Sequence, residues 1–163
     1  MLSRRLLRIK ALKALYSHLQ SEADNMMASE KSMMTSVDKA YDLYFQMLSL
    51  IVEVARYADE RQQAAMQKKL PTYEDLNPNR KFVENKVIAR LAEDEGLQAE
   101  LNSRKLSWNN NRDLIVALYN ALTKQVFYQK YMASESRSFK EDAQLVSDIY
   151  MMMLEDFEPL ESA

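Results

Sequence analysis

A single glycine, Gly96, and only three prolines, Pro71, Pro78 and Pro159, occur in the 163 residues of the chain. Tight β-turns depend on these two residue types, because glycine adopts positive φ without strain and proline fixes φ in advance. A sheet built from hairpins would therefore lack its turn residues, whereas helices exclude both types from their interiors. The sequence predicts an all-α fold, a helical bundle of about five to seven helices.

Apolar residues recur at the three- and four-residue spacing of a helix in several segments. We expect helices over the ranges 3–22, 37–69, 83–96, 97–101, 115–126 and 138–157. Ser3 is placed to cap the first helix, and Ser138 with Glu141 has the spacing of a capping box. The stretch 21–36 is polar and rich in Met and Ser, which favours a loop, and Gly96 is expected to end a helix.

The middle of the predicted helix 37–69, from Leu43 to Val54, is apolar apart from a narrow polar seam. The seam consists of Gln46, Ser49 and Glu53. A helix of this kind is packed on several sides, so it belongs at the centre of the fold. We expect one all-helical domain over residues 1–163, with Leu48, Ile51 and Val52 deeply buried in the central helix.

Residues that could carry chemistry are few, which excludes several classes of site. Without cysteine the chain has no thiolate metal ligands, and one glycine cannot build a phosphate-binding loop. The single histidine, His18, stands among polar neighbours and is expected to be a surface or capping residue rather than a general base. We therefore expect no catalytic residue, metal or cofactor, and a protein that is not an enzyme.

Composition also bears on location. The absence of cysteine favours a reducing compartment, so a cytoplasmic protein is expected. No run approaches the roughly 18 apolar residues of a membrane span. Lys10 and Lys13 interrupt what would be the core of a signal peptide, while the Arg-rich, acid-free start also matches a mitochondrial transit peptide.

The first twenty residues are strongly basic and contain neither Asp nor Glu. Their cations are Arg4, Arg5, Arg8, Lys10 and Lys13. The whole chain has 22 Lys and Arg, so the remaining residues contain 17 Lys and Arg against 24 Asp and Glu. The positive charge is therefore concentrated at one end. This asymmetry indicates contact with a polyanion, either nucleic acid or an anionic membrane surface. Interleaved leucines further predict a helix that is docked on one side.

Two segments resemble the bacterial transcription antitermination factor NusB family. The stretch 4–17, RRLLRIKALKALYS, is similar to the Arg-rich first helix of that family, which runs into an Ala-Leu-Tyr element. Leu43, Tyr44 and Phe45, followed by Leu48 and Val52, resemble its Leu-Tyr-Phe segment. Three later segments, 70–91, 107–122 and 128–158, are similar to the enlarged N-terminal region of the Bacteroidetes version. There a second helical half follows, so the resemblance implies that this chain is the N-terminal part of a longer protein.

The resemblance implies an all-helical protein that binds RNA. The family binds the single-stranded boxA element of nascent transcripts together with a small-subunit ribosomal protein (NusE), within the RNA polymerase antitermination complex. By position, Arg4, Arg5 and Arg8 are the residues that would reach the RNA. Lys10 and Lys13 have the right charge without being clear family matches. The chain departs from the pattern where Leu6 replaces a basic residue and Ile9 an acidic one.

Two other functions are compatible with the same residues. The chain could be a helical protein-protein adaptor without RNA binding, or its basic helix could target an anionic membrane. In the last predicted helix, Leu145, Met151 and Met152 lie outside the main apolar stripe, where a solvated helix would carry charge. We expect this extra face to be covered by self-association, and binding of the ribosomal partner by this chain alone to be poor.

Overall fold

The computed structural model describes residues 3–20, 25–154 and 157–161 of the chain. Its helices are α1 (Arg4–Gln20), α2 (Met26–Met66), α3 (Tyr73–Leu76), α4 (Lys86–Glu93), α5 (Glu95–Arg104), α6 (Arg112–Leu122), α7 (Val126–Ala133), α8 (Phe139–Ile149) and α9 (Glu158–Glu161). A 3₁₀ turn at Asn109–Asn111 precedes α6, and a π-helical segment at Tyr150–Leu154 continues α8. These ranges contain no strand, which confirms the all-α prediction. The nine α-helices exceed the expected five to seven because two of them, α3 and α9, have only four residues each.

The chain forms two compact units, Met1–Gln46 and Met47–Ala163. The first unit contains α1 and the beginning of α2. The second contains the rest of α2 and the helices α3 to α9.

The core of the second unit is built on one face of α2. Leu50, Ile51 and Val54 on that face are at most 1% exposed, and they belong to one cluster with Phe82 and Leu118. The expected burial of Ile51 is confirmed, whereas Leu48 and Val52 are only half-buried. The reason is helical geometry, because Leu50 and Val54 lie one turn apart with Ile51 beside them, and Leu48 and Val52 fall at the edge of that face.

The polar seam of α2 is itself packed. Ser49 is buried, and its hydroxyl oxygen accepts a hydrogen bond of 3.2 Å from the indole Nε1 of Trp108. Trp108 is 7% exposed and part of the core. The helix is therefore covered on more than its apolar face, as the sequence predicts for a central helix.

Several helices begin at residues whose side chains cap the helix end. The Ser3 hydroxyl accepts from the Leu6 amide at 3.2 Å, as predicted. The Ser138 hydroxyl accepts from the Glu141 amide at 3.2 Å, which is one half of the predicted capping box, while the Glu141 carboxylate pairs with Lys81 instead of returning to Ser138. Gly96 was expected to end a helix and instead lies inside α5. The break falls at Asp94, whose carboxylate accepts from the Leu97 amide at 2.7 Å and begins the next helix.

The prediction of a loop over 21–36 is wrong from Met26 onward, where α2 begins. Asn25 provides the start, because its side-chain oxygen accepts from the Ala28 amide at 3.2 Å. Met, Ala, Lys and Glu, which make up much of this stretch, are strong helix formers, and extending an existing helix costs no new nucleus. The rest of that predicted loop, residues 21–24, lies outside the described residues.

A buried polar cluster joins α4, α7 and α8. Lys81 is 2% exposed and donates to the carbonyls of Tyr131 (2.7 Å) and Ser134 (2.9 Å), where α7 ends. The Tyr131 hydroxyl donates to Asp142 at 2.7 Å, and Asn85 caps α4 through the Val87 and Ile88 amides. Burial, followed by the hydrogen bond to Asp142, raises the pKa of Tyr131. Because its members are enclosed and mutually bonded, the cluster holds the three helices together.

Candidate nucleic-acid interface

The candidate interface lies in the first unit, where α1 is attached to the beginning of α2 by two polar contacts. The Lys10 ammonium group donates to both the carbonyl and the hydroxyl of Ser36, each at 2.7 Å. Two turns further along α1, the His18 Nδ1 lies 3.0 Å from the Ser29 hydroxyl. Ala11 and Ala14 lie between these contacts and are half-buried. One face of α1 is thereby docked, and its orientation on α2 is set by Lys10 and His18.

The predicted RNA-binding cations divide into two groups. Arg4, Arg5, Arg8 and Lys13 are exposed on α1. Lys10 is half-buried, and its ammonium group is engaged with Ser36. The structure therefore brings the three arginines together at the start of the helix and gives Lys10 a contact within the protein.

The position of the arginines is unfavourable for the helix itself. Arg4 and Arg5 lie in the first turn of α1, where the helix dipole is already positive and a cation costs about 0.3–1 kcal/mol, and Arg8 follows at the start of the next turn. No acidic residue of α1 offsets them, because Arg4–Gln20 contains none. The result is a concentrated positive potential on a fixed element, which attracts an anionic partner.

The apolar residues of α1 do not serve as the docked face that the sequence suggested. None of the described residues of α1 is buried. Leu12, Leu15, Tyr16 and Leu19 are between 55% and 82% exposed. The half-buried residues of α1 are Leu6, Lys10, Ala11, Ala14 and His18, so Leu6 is the one large apolar residue among them and the second half of α1 presents an apolar surface next to the arginines. A contiguous exposed apolar surface of this kind commonly marks an interaction site.

The Leu-Tyr-Phe part of the second family-like segment lies at the end of the first unit, whereas Leu48 and Val52 belong to the second unit. Leu43 and Tyr44 are 59% and 54% exposed, and the Tyr44 ring meets the Phe45 ring edge-on with 5.4 Å between centroids. These exposed side chains add aromatic surface to the unit that carries the arginines.

A polar hollow in the second unit is less suited to a polyanion. It is lined in part by Glu53, Arg56, Glu60 and Arg112 around Trp108. Arg112 pairs with Glu60 at 2.8 Å and Arg56 pairs with Glu53, so the cations are already neutralised. Burial raises the pKa of Glu53. The hollow is balanced in charge and carries no excess positive potential.

The partners that attach α1 escaped the sequence reasoning. Ser29 and Ser36 fall in the stretch that was assigned to a loop, so no helical face was expected there. The helix-forming composition after Asn25 was the signal that could have revealed them.

Within residues 3–20, 25–154 and 157–161, no group of three or more His, Asp or Glu side chains could hold a metal ion. No helix in those ranges is long and apolar enough to cross a membrane. No family model, curated protein or solved structure matches the chain. The resemblance of residues 4–17 and 43–52 to the NusB family therefore stays a prediction.

Proposed function

We propose that the chain is a cytoplasmic, RNA-binding transcription antitermination factor of the NusB type. The observation that carries the proposal is the cluster of Arg4, Arg5 and Arg8, exposed at the positive end of an acid-free helix. Guanidinium groups pair with phosphate in a bidentate manner and stack on bases, which suits them to single-stranded RNA.

In this proposal the protein binds and does not catalyse. The arginines hold the backbone and base edges of a boxA-like single strand, and exposed Lys13 adds charge on the same helix. Further partners follow from the resemblance: a small-subunit ribosomal protein (NusE) and the RNA polymerase antitermination complex. No cofactor or membrane is part of the proposal.

A fluorescence-anisotropy titration with a short boxA-like RNA tests the proposal. Three to five phosphate contacts give a slope of log K against log salt of about −2 to −3.5 for a single strand. The variant R4E/R5E/R8E should lose binding while its melting temperature stays the same or rises, because the glutamates suit the helix N-terminus.

The matched control is K124E/K130E/K140E, which changes three exposed lysines of the second unit and shifts the net charge equally. It should bind RNA nearly as the wild type does. Equal losses in both variants would mean that only net charge matters, and full binding by the arginine variant would place the RNA elsewhere.

The exposed apolar half of α1 favours a second candidate, a helical protein-protein adaptor. Leu12 and Leu19, at 68% and 82% exposed, are natural anchors for a partner. A pull-down with the ribosomal protein, comparing wild type with L12S/L19S, separates the two functions. An adaptor function predicts that the wild type captures the ribosomal protein, that L12S/L19S does not, and that the chain does not bind RNA.

A further inference from the structure

A second cationic surface lies on the first unit, on a different face of α1 from the arginines. One hollow lies between α1 and the beginning of α2, a second adjoining hollow is lined by α2 alone, and the two share Ser32 and Ser36 as lining residues. We call this surface the lysine groove and define it by Lys13 of α1 and by Lys31, Ser32, Thr35 and Lys39 of α2. All five residues are exposed.

The chemistry of the lysine groove fits an extended anion. Three ammonium groups are combined with hydroxyl groups, and none of the described residues that line the two hollows is acidic. Lysine acts as a point charge that recognises phosphate without the planar geometry that reads a base. A groove of lysines and hydroxyls therefore suits a phosphodiester backbone in a manner that is neutral to sequence.

The groove is also fixed in shape, because every residue that defines it belongs to a helix. The Lys10 ammonium group ties α1 to Ser36 at 2.7 Å, directly at the shared part of the two hollows. Lys31 and Lys39 are eight positions apart on α2, which is about 12 Å along a helix. Charges held at such a separation contact several phosphates of one strand and do not converge on a single small anion.

We propose that the lysine groove carries the backbone of the same RNA strand whose other part is held by Arg4, Arg5 and Arg8. This inference rests on the proposed function. Lys13 lies on α1 five residues beyond Arg8, about 7.5 Å along the axis and about 140° around it, so a strand that contacts both surfaces winds around the exposed side of α1. The arginines then contribute base preference, and Lys31 and Lys39 contribute affinity that is the same for every sequence.

The test uses the K31E/K39E variant in anisotropy titrations with a boxA-like strand and a scrambled strand of equal length. We expect an affinity at least tenfold lower for both strands and a salt slope shallower by about 1.4, since each phosphate contact of a single strand contributes about 0.7. The control K124E/K140E has the same change of charge in the second unit and should keep both values. K31Q/K39Q should give a smaller loss in the same direction, and circular dichroism verifies that all variants are folded.

The natural chain lacks cysteine, so a single introduced thiol can carry a photo-cross-linker to one place. T35C in the groove should cross-link to the bound RNA. M34C should not, because Met34 is exposed on α2 but lines neither hollow. Cross-linking from both positions, or from Met34 alone, would overturn the assignment.

The outcomes separate this inference from the proposed function. If R4E/R5E/R8E abolishes RNA binding and K31E/K39E leaves affinity and salt slope unchanged, the groove is not part of the site while the RNA function stands. If the wild type binds neither strand, both proposals fail. Inorganic polyphosphate and vesicles rich in phosphatidylserine are tested as alternative anionic ligands. Binding to vesicles that depends on the lysines, without binding to RNA that depends on them, would also overturn the inference.

Discussion

Lys81 is the residue whose environment departs furthest from the usual one for its type. Its ammonium group is enclosed by two carbonyls of the α7 end, lies 3.2 Å from the Glu141 carboxylate and stands 4.2 Å from the centroid of the Tyr131 ring. Lysine is almost never fully buried unless it is paired, and here it also supplies the cation that the end of a helix favours. One side chain thus satisfies the end of α7 and joins it to the first turn of α8.

Replacing Lys81 with Met keeps the length of the side chain and removes the charge. The carbonyls of Tyr131 and Ser134 would lose their donor, and we expect a loss of about 2–3 kcal/mol, less than for a fully buried pair because Glu141 is partly exposed. Urea denaturation measures the change. Lys86→Met is the control, since the exposed Lys86 ammonium group donates to the Arg137 carbonyl and the substitution leaves the bond from the Lys86 amide to Asp142 in place, so its cost should stay below about 0.5 kcal/mol.

Glu141 makes the free energy of unfolding depend on pH in the acidic range. A hydrogen bond with Ser134, and then the Lys81 ammonium group, lowers the pKa of Glu141 below its ordinary value of 4.5. A carboxyl group with a lowered pKa stabilises the fold above its unfolded pKa, and this contribution is lost as the pH falls through the folded pKa. The free energy of unfolding of the wild type should therefore decrease below pH 4.5 more steeply than that of Glu141→Gln. Parallel curves in urea titrations from pH 3 to 6 would contradict this role.

At the scale of the element, α2 shows how neighbouring residues of similar hydrophobicity differ in burial. Ile51 is 1% exposed, whereas Val52 is half-buried at the edge of the packed face. Ile51→Ala should cost roughly 2–5 kcal/mol, because it removes buried methylene groups and leaves a cavity. Val52→Ala should cost clearly less in the same thermal or urea denaturation. Equal costs would mean that the packed face of α2 is wider than the structure describes.

The sequence predicted the existence of the long helices better than their ends. Periodicity located α1, α2 and α8, because each carries apolar residues at helical spacing over several turns. It predicted one helix over 115–126, but α6 ends at Leu122 and Val126 begins α7. The break depends on residues 123–125, which carry neither Gly nor Pro, and on packing that places Tyr128 and Tyr131 in the core.

The candidate site was predictable in composition and only partly in geometry. Charge alone identifies the five basic residues, but the contact of Lys10 with Ser36 depends on a helix in a stretch whose composition favours a loop. The leucines of α1 were expected inside because sequence cannot reveal which face meets a neighbour. Lys31 and Lys39 could not be paired from the sequence, because residues eight positions apart lie close together on one face only where the stretch is helical.

For the molecule as a whole, charge and apolar surface are distributed unevenly between the two units. The first unit carries the arginines, the lysine groove and the exposed leucines of α1. In the second unit, Met151 and Met152 are 72% and 65% exposed. Leu145 was expected to extend that apolar surface, but it is 2% exposed and belongs to the core, because α8 turns it toward Ile149 one turn away.

The two methionines are held outward by the π-helical segment. Hydrogen bonds of the i to i+5 type widen the turn, so that Met153 and Leu154 are both buried while Met151 and Met152 face outward. Tyr150 anchors the segment by donating to the Met47 carbonyl at 2.6 Å, and its burial raises its pKa to about 12. The apolar pair is therefore presented on a fixed support and does not retract into the core.

We predict that the chain self-associates at high concentration through Met151 and Met152. Methionine is flexible and polarizable, which suits an adaptable contact between two apolar surfaces. Sedimentation velocity at increasing concentration should show a reversible increase in average mass, and M151E/M152E should remain monomeric with an unchanged circular dichroism spectrum. The control M26E/M27E places the same charges on two exposed methionines of the first unit and should associate as the wild type does. A wild-type chain that stays monomeric at millimolar concentration would show that this surface has no affinity for itself.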